Sequence, residues 1–338
     1  MRKQYINFIK FISILFVINI HLLSRSWSVT DPNSFNFKLL TFIDILFHVC
    51  VPLFIMSSGA IFINRNDSIK KIVFKYMLRI YLIFILFNVL YKSADIIIYS
   101  SNTLSFSIIK KIIIDSLLLK SIYHLWYLKI LIAMYLCIPL IRFLKNIDLK
   151  YVDHFILILF LIFAKVSPML IKNGHYLSFI SVFGFILLYY LGYYLDKYGN
   201  KIMLYLFIPL SIISYYYTYH MTIKYSISSG VPTIAYIEYQ SYNIMAISIF
   251  VFLMVKIFKD IFEKEEIKSK LEFLTRNNFY VYLMHGFIIG AISYFKIIDI
   301  YNYKQPLLII VYGIIVYIIT LMLVLPYTLI KEKLKKRT

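Results

Sequence analysis

Residues 5 to 24 read YINFIKFISILFVINIHLLS, a twenty-residue apolar run in which Asn7, Lys10, Asn19 and His21 are the strongly polar interruptions. A bilayer core about 30 Å thick is crossed by roughly 20 apolar residues in a helix, so this stretch alone sets the class of the chain. It follows Arg2 and Lys3, but it holds Lys10 and His21 and no small-residue cleavage site comes after it. It therefore reads as a retained helix and not a signal peptide. Nine stretches of similar length follow, at Leu39 to Ile63, Ile72 to Tyr91, Ser121 to Leu144, Tyr151 to Ile171, Leu177 to Leu195, Ile202 to His220, Ser241 to Lys259, Asn277 to Phe295 and Pro306 to Ile330. The pattern predicts an all-α, polytopic integral membrane protein of about ten transmembrane helices.

Composition agrees. The 338 residues are 61% hydrophobic and 15% charged, against about 45–50% and about 25% in soluble domains. Disorder is excluded by that apolar content, a disulfide scaffold by two cysteines, and a collagen-like or linker chain by 9 Gly and 8 Pro. The net charge of +20, from 36 basic and 16 acidic residues, raises the question of nucleic acid. With the N-terminus placed in the cytoplasm, most Lys and Arg fall in the N-terminal end, the even-numbered connections and the C-terminal tail. That bias orients the helices with both termini cytoplasmic. The charge is then topology, membrane lipids are the expected partners, and nucleic acid is not.

The connections at 92–120, 221–240 and 260–276 are too short to fold alone, so residues 1–338 read as a single membrane domain with no soluble domain. Ser107 to Lys120, interrupted by Lys110, Lys111 and Asp115, reads as an interfacial helix. Cys50 and Cys137 fall at different depths of their spans and read as small unpaired core residues. No phosphate-binding glycine loop, dinucleotide turn or metal-spaced His or Cys set occurs, so no metal and no bound cofactor are expected.

An ionisable side chain inside a bilayer marks a candidate site. Lys10 and His21 are eleven residues apart, three turns plus about 20°, and Asn7 precedes Lys10 on the same side. The three form a polar seam facing the bundle, or else a snorkelling lysine and an interfacial histidine. Asp44, the one carboxylate well inside an expected span, matches His21 in depth. It can back His21 as a general base or pair with His48, one turn along its own helix. Asn278, Tyr282 and His285 share a stripe on the ninth span. Gly286 and Gly290 follow as a G-x-x-x-G that would admit a neighbouring helix. Lys75 and Arg79 open the third span and either set topology or bind a phosphate-bearing donor. His124 and Trp126 open the fourth at the outer face, where aromatic side chains form an interfacial belt.

In this order the residues resemble membrane acyltransferase family 3, in the branch that holds surface-polysaccharide O-acetyltransferases. The resemblance runs from Asn7-Phe8-Ile9-Lys10 with His21, through Val51-Pro52-Leu53-Phe54 and Ser58-Gly59, to Arg79 and Lys75. It continues in His124-Leu125-Trp126-Tyr127-Leu128 with Tyr135 and Pro139, and closes on Tyr282-Leu283-Met284-His285. It spans most of the chain, and the ordered set is more specific than any member. It implies transfer of an acyl group, usually acetyl, from cytoplasmic acyl-CoA to a hydroxyl of a cell-surface polysaccharide or its lipid-linked precursor, in a bacterial cytoplasmic membrane. His21 would be the catalytic histidine and Lys10 its companion, with Asp44 as a further catalytic candidate. Asn7, Lys75, Arg79, His124, Trp126, Tyr282 and His285 would bind substrate. The family usually carries Arg at the position of Lys10 and Asp at the position of Asn7, so a salt bridge between them is not available here. A polysaccharide exporter without acyl-transfer activity is the rival reading, since spans with buried polar residues can also line a path.

Overall fold

A computed structural model describes residues 3–99, 105–147, 151–166, 177–297 and 307–335. The described chain is helical throughout: α1 (Gln4–Trp27), α2 (Phe35–Phe47), α3 (Cys50–Phe62), α4 (Ile69–Lys71), a π-helical turn (Ile72–Met77), α5 (Leu78–Tyr99), α6 (Phe106–Leu117), a 3-10 turn (Tyr123–Leu125), α7 (Trp126–Lys145), α8 (Val152–Val166), α9 (Leu177–Tyr198), α10 (Lys201–Ser229), α11 (Tyr242–Ile257), α12 (Lys259–Phe262), α13 (Glu265–Tyr294) and α14 (Leu308–Lys335). Among the described residues six segments are long and apolar enough to cross a membrane: Gln4–Trp27, Phe35–Phe62, Ile69–Ile98, Tyr123–Lys145, Lys201–Ser229 and Leu308–Lys331. Val152–Ile162 and Tyr242–Ile257 are shorter apolar helices. The end of the fifth expected span, beyond residue 166, and the start of the tenth at Pro306 lie outside the described residues.

The chain divides into two compact units, Met1–Ser58 with Tyr194–Thr338, and Gly59–Tyr193. In the first, α1 is the central helix and packs against α13, α14, α2 and α11. Its Ile6, Ile9, Ile14, Ile18, Leu22 and Leu23 are fully enclosed. At Gly313 of α14 an added Cβ would lie 2.3 Å from Asn19 of α1, so the two helices approach as closely as a glycine allows. Helix α10 shows how these helices meet lipid. Ser211, Ser214, Thr218, Thr222 and Ser226 form its buried stripe while Ile212 and Ile213 are about two-thirds exposed. Polar inside and apolar outside is the inverse of a soluble helix, and it suits a bilayer.

The span Phe35–Phe62 is not one helix. It breaks at His48 and Val49 between α2 and α3. In an unbroken helix the amide of residue 52 would bond the His48 carbonyl, but residue 52 is proline, which has no N–H and crowds that carbonyl. The ladder resumes one residue on, with the Leu53 amide bonded to the Val49 carbonyl at 3.0 Å.

In the second unit, α3 ends beside α9 so closely that a Cβ on Gly59 would lie 1.7 Å from the Tyr189 carbonyl oxygen. The segment read as an interfacial helix folds back along α5 as α6. Tyr81 Oη donates to the Leu117 carbonyl at 2.9 Å, and Asn88 Nδ2 donates to Ser116 Oγ at 2.8 Å and the Lys120 carbonyl at 3.1 Å. The third helix accordingly runs on to Tyr99 instead of stopping at Tyr91. Among the described residues nothing approaches a Cβ added at Gly290, so the close approach expected at the G-x-x-x-G is not found there. Close approaches occur instead at Gly59, Gly199 and Gly313.

Candidate active site

In the first unit the polar seam of α1 meets the stripe of α13. Asn278 Nδ2 donates to the Lys10 carbonyl at 3.0 Å, and three turns along α1 the ring of His21 stacks on that of His285, with centroids 5.3 Å apart and planes at 25°. The two helices run in the same direction, so one stripe of α13 serves both ends of the seam. His285 is fully buried, and its Nδ1 lies 2.7 Å from the Tyr282 carbonyl. A carbonyl only accepts, so Nδ1 carries the hydrogen and Nε2 keeps the lone pair. The ring of Tyr282 lies 6.0 Å from that of His285. His285, Arg25 and His48 all lie close enough to act on charge at His21.

At the other end of the seam Asn7 is buried and donates to Gln4 Oε1 at 2.7 Å, and Gln4 Nε2 donates to Glu272 of α13 at 2.7 Å. Glu272 is thus reached from Asn7 through an amide relay, Glu263 accepts from the Gln4 amide at 3.2 Å, and Asn7 stands inside the unit as a hydrogen-bonding residue. Lys3 of the same helix end pairs with Asp196 at 2.6 Å.

Of the two partners open to Asp44, the structure supplies His48. His48 Nδ1 lies 3.0 Å from the Asp44 carbonyl and 3.2 Å from its carboxylate oxygen. On the far face, the His48 ring stacks on Tyr239 at 5.1 Å. A hollow of about 690 Å³ between α10 and α11 is lined chiefly by apolar groups such as Leu210, Ile213 and Ile249, and none of the candidate residues lines it.

The second unit carries a basic corner. Asp67 holds Arg65 at 2.9 Å, also holds Lys71, and accepts from Tyr76 Oη at 3.1 Å. The wide π-helical turn brings Tyr76 to that carboxylate. Arg142 of α7 donates to the Asp67 carbonyl at 2.7 Å and the Phe62 carbonyl at 2.9 Å, closing the C-terminal end of α3. Lys145 reaches Asn64 at 2.7 Å. The Lys71 bond is the chief cause that holds the Asp67 carboxyl below its ordinary value, with Arg65 adding to it. Lys75 and Arg79 are exposed, four residues apart.

His124 is buried with its ring edge-on to Tyr91 at 5.3 Å, and Trp126 is half-buried against Phe185 at 6.0 Å. Both are packed residues of the second unit, which adds interior contacts to the interfacial role read for Trp126. Asp44 is not the only buried carboxylate. Asp153 of α8 is 2% exposed and accepts from Tyr190 at 2.9 Å and Tyr193 at 3.1 Å. Its position at a helix start hid it, because an acid there reads as an interfacial residue. Arg25 and Tyr239 were also not legible as site residues. Arg25 follows His21 by one helical turn, a usable signal, whereas Tyr239 comes from a connection far along the chain.

Compared with models of protein families, residues 3–325 match the acyltransferase domain, a match that runs through both units. No curated protein and no solved structure matches the chain.

Proposed function

The chain belongs to acyltransferase family 3, and from that premise we propose that this membrane acyltransferase moves an acyl group, acetyl in the first instance, from cytoplasmic acyl-CoA to a hydroxyl of a cell-surface polysaccharide or its lipid-linked precursor. In this reading it sits in a bacterial cytoplasmic membrane as a single membrane domain with about ten spanning helices and both termini cytoplasmic. The carrying observation is the stack of His21 on His285 within an apolar helical unit. An alcohol is a poor nucleophile until a base takes its proton, and a thioester gives up its acyl group to a nitrogen nucleophile. Imidazole does either at neutral pH. His21 is the reacting imidazole, by taking the proton of the acceptor hydroxyl or by carrying the acyl group for one step.

Donor phosphates fit the exposed Lys75 and Arg79. In the same corner Arg142 donates to two carbonyls, and Arg65 and Lys71 pair with Asp67. Arg matches phosphate in a planar, two-point contact, and Lys adds a point charge. Lys10 and Asn7 would orient the seam from the helix end, Tyr282 would line the imidazole pair, and His124 and Trp126 would form acceptor-side walls.

The test compares surface polysaccharide from cells that make the chain, lack it, or make His21→Ala, by mass and NMR analysis of ester groups. Esters present only with the unaltered chain support the reading. Polymer trapped inside cells that lack the chain would favour the exporter, and normal esters with a well-inserted His21→Ala protein would refute the role of His21.

A further inference from the structure

Asp44 and His48 form an oriented carboxylate–imidazole pair at an interruption in a membrane-crossing segment. The break follows from Pro52. Irregular backbone within a membrane span persists only where protein encloses it or where it lines a cavity, and interrupted helices are recurrent substrate sites. His48 is the last residue of the α2 turn at that break. Both atoms facing its Nδ1, the Asp44 carbonyl oxygen at 3.0 Å and carboxylate oxygen at 3.2 Å, can only accept. Nδ1 therefore carries the hydrogen and Nε2 the lone pair. Stacking on Tyr239 fixes the ring plane. The His48 side chain retains 14% exposure, against 5% for Asp44. Among the described residues Nε2 makes no hydrogen bond. A histidine whose tautomer is set by a backbone carbonyl, with a carboxylate oxygen 3.2 Å away to steady its charged form and the opposite nitrogen facing other groups, is built as a general base.

The pair also lies at the height of His21. Phe16 packs on Phe47 at 5.2 Å and Trp27 donates to Thr41 at 2.9 Å. These contacts bracket His21 on α1 and Asp44 on the antiparallel α2.

We propose that His48 is the proton acceptor for the acceptor hydroxyl, positioned by Asp44, and that His21 carries the acyl group. This rests on the acyltransferase reading and decides between the two roles left to His21. In the first step a nitrogen of neutral His21 bonds the thioester carbonyl carbon, the carbon–sulfur bond breaks, and the electron pair leaves on the CoA thiolate. In the second, the acceptor O–H bond breaks with its proton passing to His48 Nε2. The oxygen forms the ester bond, the carbon–nitrogen bond breaks, and its electron pair returns to His21. The imidazolium of His48, steadied by the Asp44 carboxylate, then gives its proton to the thiolate, and both histidines end neutral.

The experiment uses membranes of the producing strain, which hold the natural acceptor, with the full-length chain as wild type, His48→Gln, Asp44→Asn or His21→Ala. The probe is acetyl-CoA labelled in the acetyl group, and label is followed on polysaccharide and on the protein. Loss of a general base costs about 10²–10⁴-fold. His48→Gln is therefore expected to label polysaccharide at least 100-fold more slowly while retaining acetyl on the peptide that contains His21. Its apparent KM for acetyl-CoA falls together with kcat, because the acetylated protein accumulates ahead of the slowed step, and kcat/KM for acetyl-CoA stays unchanged. Asp44→Asn, which presents the wrong partner to Nδ1, is expected to slow transfer in the same direction and likewise to retain acetyl on His21. That retained acetyl distinguishes a folded variant from an unfolded one, and His21→Ala should show none. Transfer by His48→Gln within twofold of wild type overturns the proposal, as does slow transfer by both His48→Gln and Asp44→Asn with no acetyl on His21. If wild-type membranes place no label on polysaccharide, it is the acyltransferase reading that fails, and the proposal falls with it.

Discussion

In the first unit polar side chains are scattered singly along apolar helices. Packing of helices brings His21 to His285 and Asn278 to the Lys10 carbonyl, and one helical turn brings Asp44 to His48. In the second unit they are crowded near residues 64–79 and 142–145. There one carboxylate holds Arg65 and Lys71, and Arg142 saturates two backbone carbonyls. The first arrangement leaves imidazole nitrogens with lone pairs, which is what proton and acyl transfer require. The second uses Arg65, Lys71 and Arg142 for structure and also presents Lys75 and Arg79 at its surface. In the proposed reaction the polar groups of this chain thus divide into those placed to transfer protons or acyl groups and those that close helix ends.

Substitutions can break that division. The largest effect is expected at His21, where Ala should lower ester transfer by about 100-fold or more while the inserted protein and its thermal midpoint in detergent stay near wild type. A large loss of stability would place His21 among the structural groups instead. Next comes Gly59→Ala, whose Cβ would meet the Tyr189 backbone. Overpacking of this kind costs about 1–3 kcal/mol. Gly290→Ala, which meets open space, should change stability by less than about 0.5 kcal/mol. Paired unfolding curves check both.

Arg142→Ala removes the guanidinium from the Phe62 and Asp67 carbonyls and leaves Phe62 with only the Arg65 amide. It should lose about 2 kcal/mol, with the activity of the remaining folded protein unchanged. Lys75→Ala with Arg79→Ala should raise the KM for acyl-CoA about tenfold, roughly 1.4 kcal/mol of donor binding, and leave kcat alone. The rise should shrink in high salt as the wild type loses the same attraction. A fall in kcat would move those residues into the reacting class.

The smallest effect is at Asp67. Its folded-state pKa lies below the ordinary aspartate value of 3.8. Its stabilisation is therefore complete above that value and is lost as pH falls through the depressed one. The wild-type unfolding midpoint should drop on acidification below about pH 4 more steeply than that of Asp67→Asn.

Much of this was legible beforehand, and the exceptions have physical causes. Helical periodicity put Lys10 with His21 and Asn278 with His285, because positions on one helix are fixed by a rotation of about 100° per residue. The choice between His21 and His48 as the partner of Asp44 stayed open, since an i,i+4 contact and an interhelical one are equally compatible with the spacing. The fold-back of α6 was hidden because its contacts, Asn88 to Ser116 and Lys120, join positions about thirty residues apart. Gly290 matched a packing motif and yet has no described residue near its Cβ position, whereas Gly59 and Gly313 matched no spacing rule and are tight.

By itself the sequence determined that this is an all-helical membrane chain of the acyltransferase kind, and which few polar residues lie within its apolar runs. Those are local properties: the length of a span, the cost of a charge in hydrocarbon, the phase of a helix. Only the tertiary structure decided which of those residues meet. It set His21 against His285, gave Asp44 to His48 at the Pro52 break, and tied Arg142 to the end of α3. The first and last depend on how helices distant in sequence come to rest against one another, and the second is a contact within one turn that spacing allowed without selecting it over the interhelical alternative.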